Sequence, residues 1–229
     1  MNEMTQSKAL RIILIGPPGS GKGTQANILC TRYDLGHVST GDLLRRNIQE
    51  GTALGNLARA AMESGGLVPD SVIVQLLEEL YHSRRGDEVS FVLDGFPRSE
   101  SQAIALSEFL EARGQAVHRV LLLKLADEAI VDRLVHRRSC PECGRSYHLK
   151  ALPPKVEGVC DDDGSTLIWR TDDHEEVIRK RVETYHGETK PVAEYYERKG
   201  VLSAVDAANG IDEVAARIAS IVDSVLAST

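Results

Sequence analysis

Aromatic side chains are scarce in this chain, 4% of 229 residues, too few to build the stacking platforms that hold single-stranded nucleic-acid bases. A basic surplus is missing as well. The net charge is −7, whereas broad affinity for nucleic acid needs a cationic surface. No apolar run approaches the roughly 20 residues that cross a bilayer. The first ten residues hold no cationic segment leading into an apolar core, so no secretory signal is expected. Neither nucleic acid nor membrane is therefore an expected partner, and the chain reads as soluble, in a reducing cytoplasm. Lysine is rare beside arginine, 8 against 19, and planar guanidinium groups suit phosphate recognition better than point charges do. The rest is ordinary for a globular protein, with 42% hydrophobic and 27% charged residues. The length suffices for one sizeable core with small insertions.

The most informative segment is Gly16-Pro-Pro-Gly-Ser-Gly-Lys-Gly-Thr24, directly after the apolar run Leu10–Ile15. A short strand feeds a glycine-rich turn, and the turn feeds a helix beginning near Lys22. Glycines let successive N–H groups point into one concavity, and the helix N-terminus adds partial positive charge. Gly19, Ser20, Gly21, Lys22, Gly23 and Thr24 are thus candidates to cradle the phosphates of a nucleoside triphosphate, with Lys22 reaching the terminal ones. Gly23 stands where Ser or Thr usually follows the lysine, so direct Mg²⁺ ligation by the Thr24 hydroxyl is not assumed.

Strand and helix alternate along the chain. Strands are expected over Arg11–Ile15, His37–Ser39, Val89–Leu93, Arg119–Leu123 and Val201–Val205. Helices are expected over Lys22–Thr31, Thr40–Gln49, Thr52–Ser64, Asp70–His82, Ser99–Arg113, Asp127–Arg138, Glu175–Arg198 and Ile211–Leu226. This order predicts an α/β fold, a mostly parallel sheet with helices on both faces and ligands beyond the carboxyl ends of its strands. Two segments break the rhythm. Residues 40–70 hold two helices where one crossover would do, and residues 139–174, rich in Cys, Pro, Gly and Asp, read as a small insertion.

Within that insertion, Cys140-Pro-Glu-Cys143 and Cys160-Asp-Asp-Asp163 form two knuckles with sixteen residues between them. Such spacing predicts a zinc ribbon in which Asp163 replaces the usual fourth cysteine. Three thiolates and a carboxylate fill a tetrahedron and leave no position for a substrate water, so the metal would be structural. His148 and Asp161 are alternative fourth ligands, and free or disulfide-paired cysteines are the competing reading. Cys30, inside the first helix, fits a small core residue.

Two further motifs are His37-Val-Ser-Thr-Gly-Asp-Leu-Leu-Arg45 and Val92-Leu-Asp-Gly-Phe-Pro-Arg98, with Gln102 one turn later. Taken with the phosphate loop and the long insertion, they make the chain resemble the adenylate kinase family, of the long-lid, zinc-binding bacterial type, from about residue 10 to residue 215. The resemblance implies a nucleoside monophosphate kinase fold with a five-stranded parallel core, 1–39, 69–138 and 175–229. It also implies an AMP-binding subdomain, 40–68, and a zinc-binding lid, 139–174.

By the same resemblance Thr40, read from its type as a helix N-cap, contacts the acceptor nucleotide, and Arg45 and Arg98 grip its phosphate. Gly66, Leu67 and Val68, with Gly95, Phe96 and Pro97, border it, and Gln102 reads adenine, its carboxamide suiting N6 and N1. Arg133 and Arg137, spaced to share a helix face, correspond to groups on the donor base and phosphates. Arg170 and Arg181 clamp the phosphates between donor and acceptor. Ser146, Tyr147 and Asn209 lie along ATP. Asp94, a carboxylate ending an apolar strand, is expected to hold water around Mg²⁺, a capping aspartate being the plainer reading. The implied reaction is MgATP + AMP ⇌ MgADP + ADP in a monomer, with ATP, AMP and ADP as its ligands. GTP:AMP or another nucleoside phosphotransfer on the same scaffold is the alternative. A zinc-ribbon nucleic-acid module that senses nucleotide is the rival of another class.

Overall fold

The computed structural model describes residues 9–72, 75, 78 and 90–228. At its centre lies β1 (Arg11–Ile15), every residue buried. On one side it pairs with β3 (Phe91–Asp94), which in turn pairs with β2 (Gly36–Ser39). On the other side it pairs with β4 (Arg119–Lys124), which pairs with β7 (Leu202–Asp206). All four pairings are parallel, in the order β2-β3-β1-β4-β7. A parallel strand covered on both faces reads as a continuous apolar run, which is why β1 continues after Arg11 as Ile-Ile-Leu-Ile without alternation.

Successive side chains still leave β1 on opposite faces. Ile13 and Ile15 join Phe91, Leu93, Leu106, Leu110 and Tyr196 on one side. Ile12 and Leu14 join Val92, Leu121, Ile218 and Val222 on the other. Because the strands run together, their carboxyl ends gather Gly16, Thr40, Gly95 and Ala207 along one edge of the sheet.

The expected Asp127–Arg138 helix is shorter: it spans Asp127–Val135, and Arg137–Ser139 forms β5, antiparallel to β6 (Ser146–His148). His136 ends the helix at φ −90°, ψ 0°. Arg133 and Arg137 therefore do not share a helix face; hairpin pairing with a segment distant in sequence overrides the local i, i+4 pattern. The expected Glu175–Arg198 helix is also interrupted, running as Glu175–Thr184, a wider π turn over Tyr185–Thr189, and Lys190–Arg198. Pro191 has no N–H to continue the ladder, and the Lys190 N–H reaches back to the Tyr185 carbonyl. Of the Asp70–His82 helix, residues 70–72, 75 and 78 are helical. The remainder, like Val89 of the expected third strand, lies outside the described residues.

Residues 139–174 carry a core of their own, Cys140, Tyr147, Cys160 and Leu167. So few buried side chains cannot hold a β unit together without a crosslink or a metal.

Candidate active site

The phosphate loop opens on a glycine that tolerates no side chain. Gly16 has φ +151°, and a β-carbon there would lie 2.5 Å from the Leu123 carbonyl oxygen. Gly21, at φ 86°, caps the Lys22–Tyr33 helix without a side-chain hydrogen bond, and no acid occupies the first turn. The positive end of that helix is left for an anion. Lys22 folds over the loop, its Nζ donating to the Gly16 and Pro17 carbonyls at 2.9 Å each. Burial lowers its pKa to about 8; Asp94 opposes this, and Arg98, Arg181 and Arg137 add to it. Gly23 abuts Asp94, where a β-carbon would stand 3.4 Å from Oδ2. A serine or threonine hydroxyl at that place would compete for the carboxylate.

Ser39, and not Thr40, caps the Thr40–Glu50 helix, accepting the Asp42 N–H at 3.2 Å. Both residue types are good caps, serine slightly the better. Thr40 is instead turned to β3, where its hydroxyl donates to the Asp94 carbonyl at 3.3 Å. Arg45 pairs with Asp42 at 2.5 Å and approaches Asp172 at 4.0 Å. Arg98 donates from Nε to the Gly95 carbonyl at 2.7 Å. Its pKa is lowered by burial first and then by Arg45.

The remaining cations converge from both ends of the insertion. Arg133 donates to the Ala207 carbonyl at 2.8 Å, at the end of β7. Arg137 forks onto Asp173, Nε at 2.7 Å and NH2 at 2.5 Å. Arg181 reaches Asp172 at 3.0 Å and Asp173 at 3.2 Å. Arg170 lies 3.5 Å from Asp42. Burial, then Arg45 and Arg137, lowers the Arg170 pKa to about 9. Burial also lowers Arg181, to about 10, against the pull of Asp172. Burial alone would raise Asp172, but Arg181, Arg45, Arg137 and Arg170 hold it down to about 2.

Lys22, Arg45, Arg98, Arg137, Arg170 and Arg181 thus outnumber the carboxylates Asp42, Asp94, Asp172 and Asp173 that face them. Asp42, Asp172 and Asp173 were not among the residues expected from sequence. The local signal for Asp172 and Asp173 is that they form an acidic pair two residues after Arg170, and Asp42 lies inside the His37–Arg45 motif.

All these cations edge one cleft of about 1220 Å³, larger than the ~300–1,000 Å³ typical of a single small ligand. The loop residues Gly19 to Thr24 line it together with Ser146, Tyr147 and Asn209. So do Thr40, Gly66, Leu67, Val68, Gly95, Phe96 and Gln102. Pro97 does not; it lines only a small neighbouring cavity. The Phe96 ring belongs to the sheet's core, so its backbone is what the cleft offers. Tyr147 likewise sends its ring into the core of the insertion, its hydroxyl 3.4 Å from Cys160 Sγ.

In the insertion, ligand atoms of Cys140, Cys143, Cys160 and Asp163 lie within 4.8 Å of one another. No disulfide forms, and Cys143 and Cys160 sulfurs are 3.6 Å apart. A tetrahedron with ~2.3 Å Zn–S bonds has S···S edges of ~3.8 Å, whereas a disulfide needs ~2.05 Å. Cys140 Sγ lies 3.2 Å from Asp163 Oδ2. The donor set, three thiols and the Asp163 carboxylate, fits zinc. Asp161 stands aside, accepting the Lys155 N–H at 2.9 Å.

His148 belongs to another trio, with Asp132 and His136. There the His148 Nδ1 accepts the N–H groups of Lys150 and Ala151, so Nε2 of the neutral ring carries the proton and offers a metal no lone pair.

A sequence model of the family described as Adenylate kinase matches residues 14–201. Similar curated proteins bear the same name. One from Caldanaerobacter subterraneus subsp. tengcongensis is 46% identical over 205 residues, 90% of this chain and 92% of its own. One from Chloroherpeton thalassium is 46% identical over 215 residues, 94% of this chain and 99% of its own. One from Clostridium tetani is 42% identical over 219 residues, 94% of this chain and 100% of its own.

Proposed function

Because this chain belongs to the adenylate kinase family, whose members are ATP:AMP phosphotransferases that use Mg with ATP, we propose a residue-level account of how its cleft performs that reaction. The observation that carries it is the surplus of half-buried cations over carboxylates around one cleft. Such a surplus is costly until an anion of high charge completes it. Two nucleotides meeting through their phosphates supply that charge.

ATP lies with its phosphates in the Gly19–Thr24 loop and its base beside Arg133 and Asn209. The AMP phosphate lies between Arg45 and Arg98, its base against Gly66–Val68 and Gln102. Arg137, Arg170 and Arg181 flank the group in transit. The transfer needs in-line positioning and neutralisation of charge on the moving oxygens, and no covalent intermediate. It also needs no general base, since the attacking oxygen of AMP is already anionic. When bound with ATP, Mg²⁺ neutralises charge on the phosphate oxygens, and Asp94 is the residue that would hold its waters.

Water is the competing acceptor, so the cleft has to shut before transfer. Residues 139–174 act as the lid over ATP and residues 40–68 close over AMP. Support comes from their mutual approach: Arg170 meets Asp42 at 3.5 Å, and a β-carbon on Gly144 would stand 3.6 Å from Asp42 Oδ2. A coupled assay offering ATP or GTP with a panel of monophosphates tests this account. Strong turnover of AMP alone supports it, while preference for GTP as donor would move the donor assignment to the alternative phosphotransfer.

Zinc in the Cys140–Asp163 cluster would stiffen the lid so that it moves as one body. Purified protein is expected to carry about one zinc per chain, and Cys143→Ser to lose it. Melting should then fall by about 10 °C, while turnover of the remaining folded enzyme changes by less than about threefold. Elemental analysis and calorimetry check this; a metal-free variant melting with the parent would refute the structural role.

A further inference from the structure

We infer that Asp70 sets base specificity by locking the carboxamide of Gln102 in one sense, an inference resting on the reading that Gln102 faces the acceptor base. Gln102 lies in the first turn of the Glu100–Glu111 helix and is 3% exposed. Its Nε2 donates to Asp70 Oδ1 at 2.7 Å, and its Oε1 accepts the Arg98 N–H at 2.9 Å. A carboxylate only accepts and a backbone N–H only donates, so one orientation of the amide satisfies both. The flipped amide would set oxygen against the carboxylate and NH₂ against N–H. Asp70 is itself held, its Oδ2 accepting the Ser101 hydroxyl at 2.8 Å. That hydroxyl lies 2.8 Å from the Ser99 hydroxyl, and Ser99 caps the same helix.

The lock matters because glutamine alone is ambiguous. Adenine presents a donor at N6 and an acceptor at N1; a 6-oxopurine presents an acceptor at O6 and a donor at N1. A freely rotating carboxamide pairs with either by turning over. With each protein partner taking one hydrogen or one lone pair, Gln102 keeps one N–H and one lone pair, and their order is fixed. That order matches adenine in one placement of the base and opposes the 6-oxopurine in the same placement. Asp70 is therefore a positioning residue, acting on the base through Gln102. The Arg98 end of the lock ties base reading to the arginine that holds the phosphate of the same nucleotide.

The test compares kcat/KM for AMP and IMP, with MgATP as donor, in the parent and in Asp70→Asn, Asp70→Ala and Gln102→Ala. Asparagine keeps the shape but can donate or accept, so it removes the Asp70 half of the lock and leaves only the Arg98 N–H opposing the flipped sense. The AMP preference is expected to fall at least tenfold in Asp70→Asn and Asp70→Ala through a rise in IMP use, with AMP itself losing less than tenfold. Unchanged preference in both Asp70 variants, while Gln102→Ala abolishes it, would overturn the lock and leave Gln102 as the base reader. Undiminished preference in Gln102→Ala would overturn the base reading, and the lock with it. A parallel fall of AMP and IMP use together with a lowered melting temperature would assign Asp70 a structural role only.

Discussion

Lys22→Met is expected to lower kcat by about 10³-fold, the size seen when one preorganised charge facing a transition state is removed, while the chain stays folded. Lys22 donates to the loop's own carbonyls, and on the proposed reading phosphate oxygens take over those hydrogens. Its pKa of about 8, against 10.5 in an unfolded chain, makes the role readable by pH. Below pH 8 the folded protein carries a buried charge that the unfolded chain bears in water at no cost, so the charge opposes folding. That penalty fades as pH rises from 8 towards 10.5. Methionine removes it, and the variant should melt at or above the parent's temperature at pH 7.

Nucleotide binding reverses the shift, because phosphate oxygens favour the ammonium form. At pH 8 to 9 the parent should take up part of a proton per ATP bound, and at pH 6 none. Calorimetry in buffers of different ionisation enthalpy measures this, and Lys22→Met should abolish the uptake. Near-parental turnover in the variant would remove Lys22 from the mechanism; equal uptake in both proteins would assign the proton elsewhere.

The residues legible from sequence are those whose chemistry is local. The phosphate loop could be read because strand, glycines, lysine and helix start are contiguous, and the cysteine knuckles because ligand spacing is itself the signal. The parallel sheet followed from apolar runs such as Leu10–Ile15. What escaped was tertiary in origin. Asp173 is written beside Asp172 in a charged stretch that reads as surface, yet it is 0% exposed because Arg137, 36 residues earlier, closes over it. Arg137 itself was placed on a helix because nothing local announces that Arg137–Ser139 pairs with Ser146–His148. The choice between Ser39 and Thr40 as cap is likewise not settled by residue type. It turns on which hydroxyl β3 claims, and Asp94's carbonyl takes that of Thr40.

The second large effect is expected at Asp173. Its carboxylate accepts both arms of Arg137 and one of Arg181 with no solvent contact. Asp173→Asn keeps the volume, removes the buried charge and leaves two half-buried guanidinium groups without it. Breaking a buried pair in this way costs about 3–5 kcal/mol, and for a chain of this size about 2–4 °C of melting temperature per kcal/mol. A fall of about 10 °C is expected. Turnover should drop about 10²-fold, since Arg137 and Arg181 lose the fork that aims them at the phosphates.

The electrostatic origin of the loss can be separated from a packing defect by adding ligand. Bound phosphates supply the missing negative charge, so saturating ATP, AMP and magnesium should raise the variant's melting temperature by more than they raise the parent's, narrowing the gap. A packing defect would leave the gap as wide with nucleotide as without. On the proposed reading, the same surplus of arginine charge draws two nucleotides into one cleft: Asp172 and Asp173 neutralise only part of it, and the phosphates complete it.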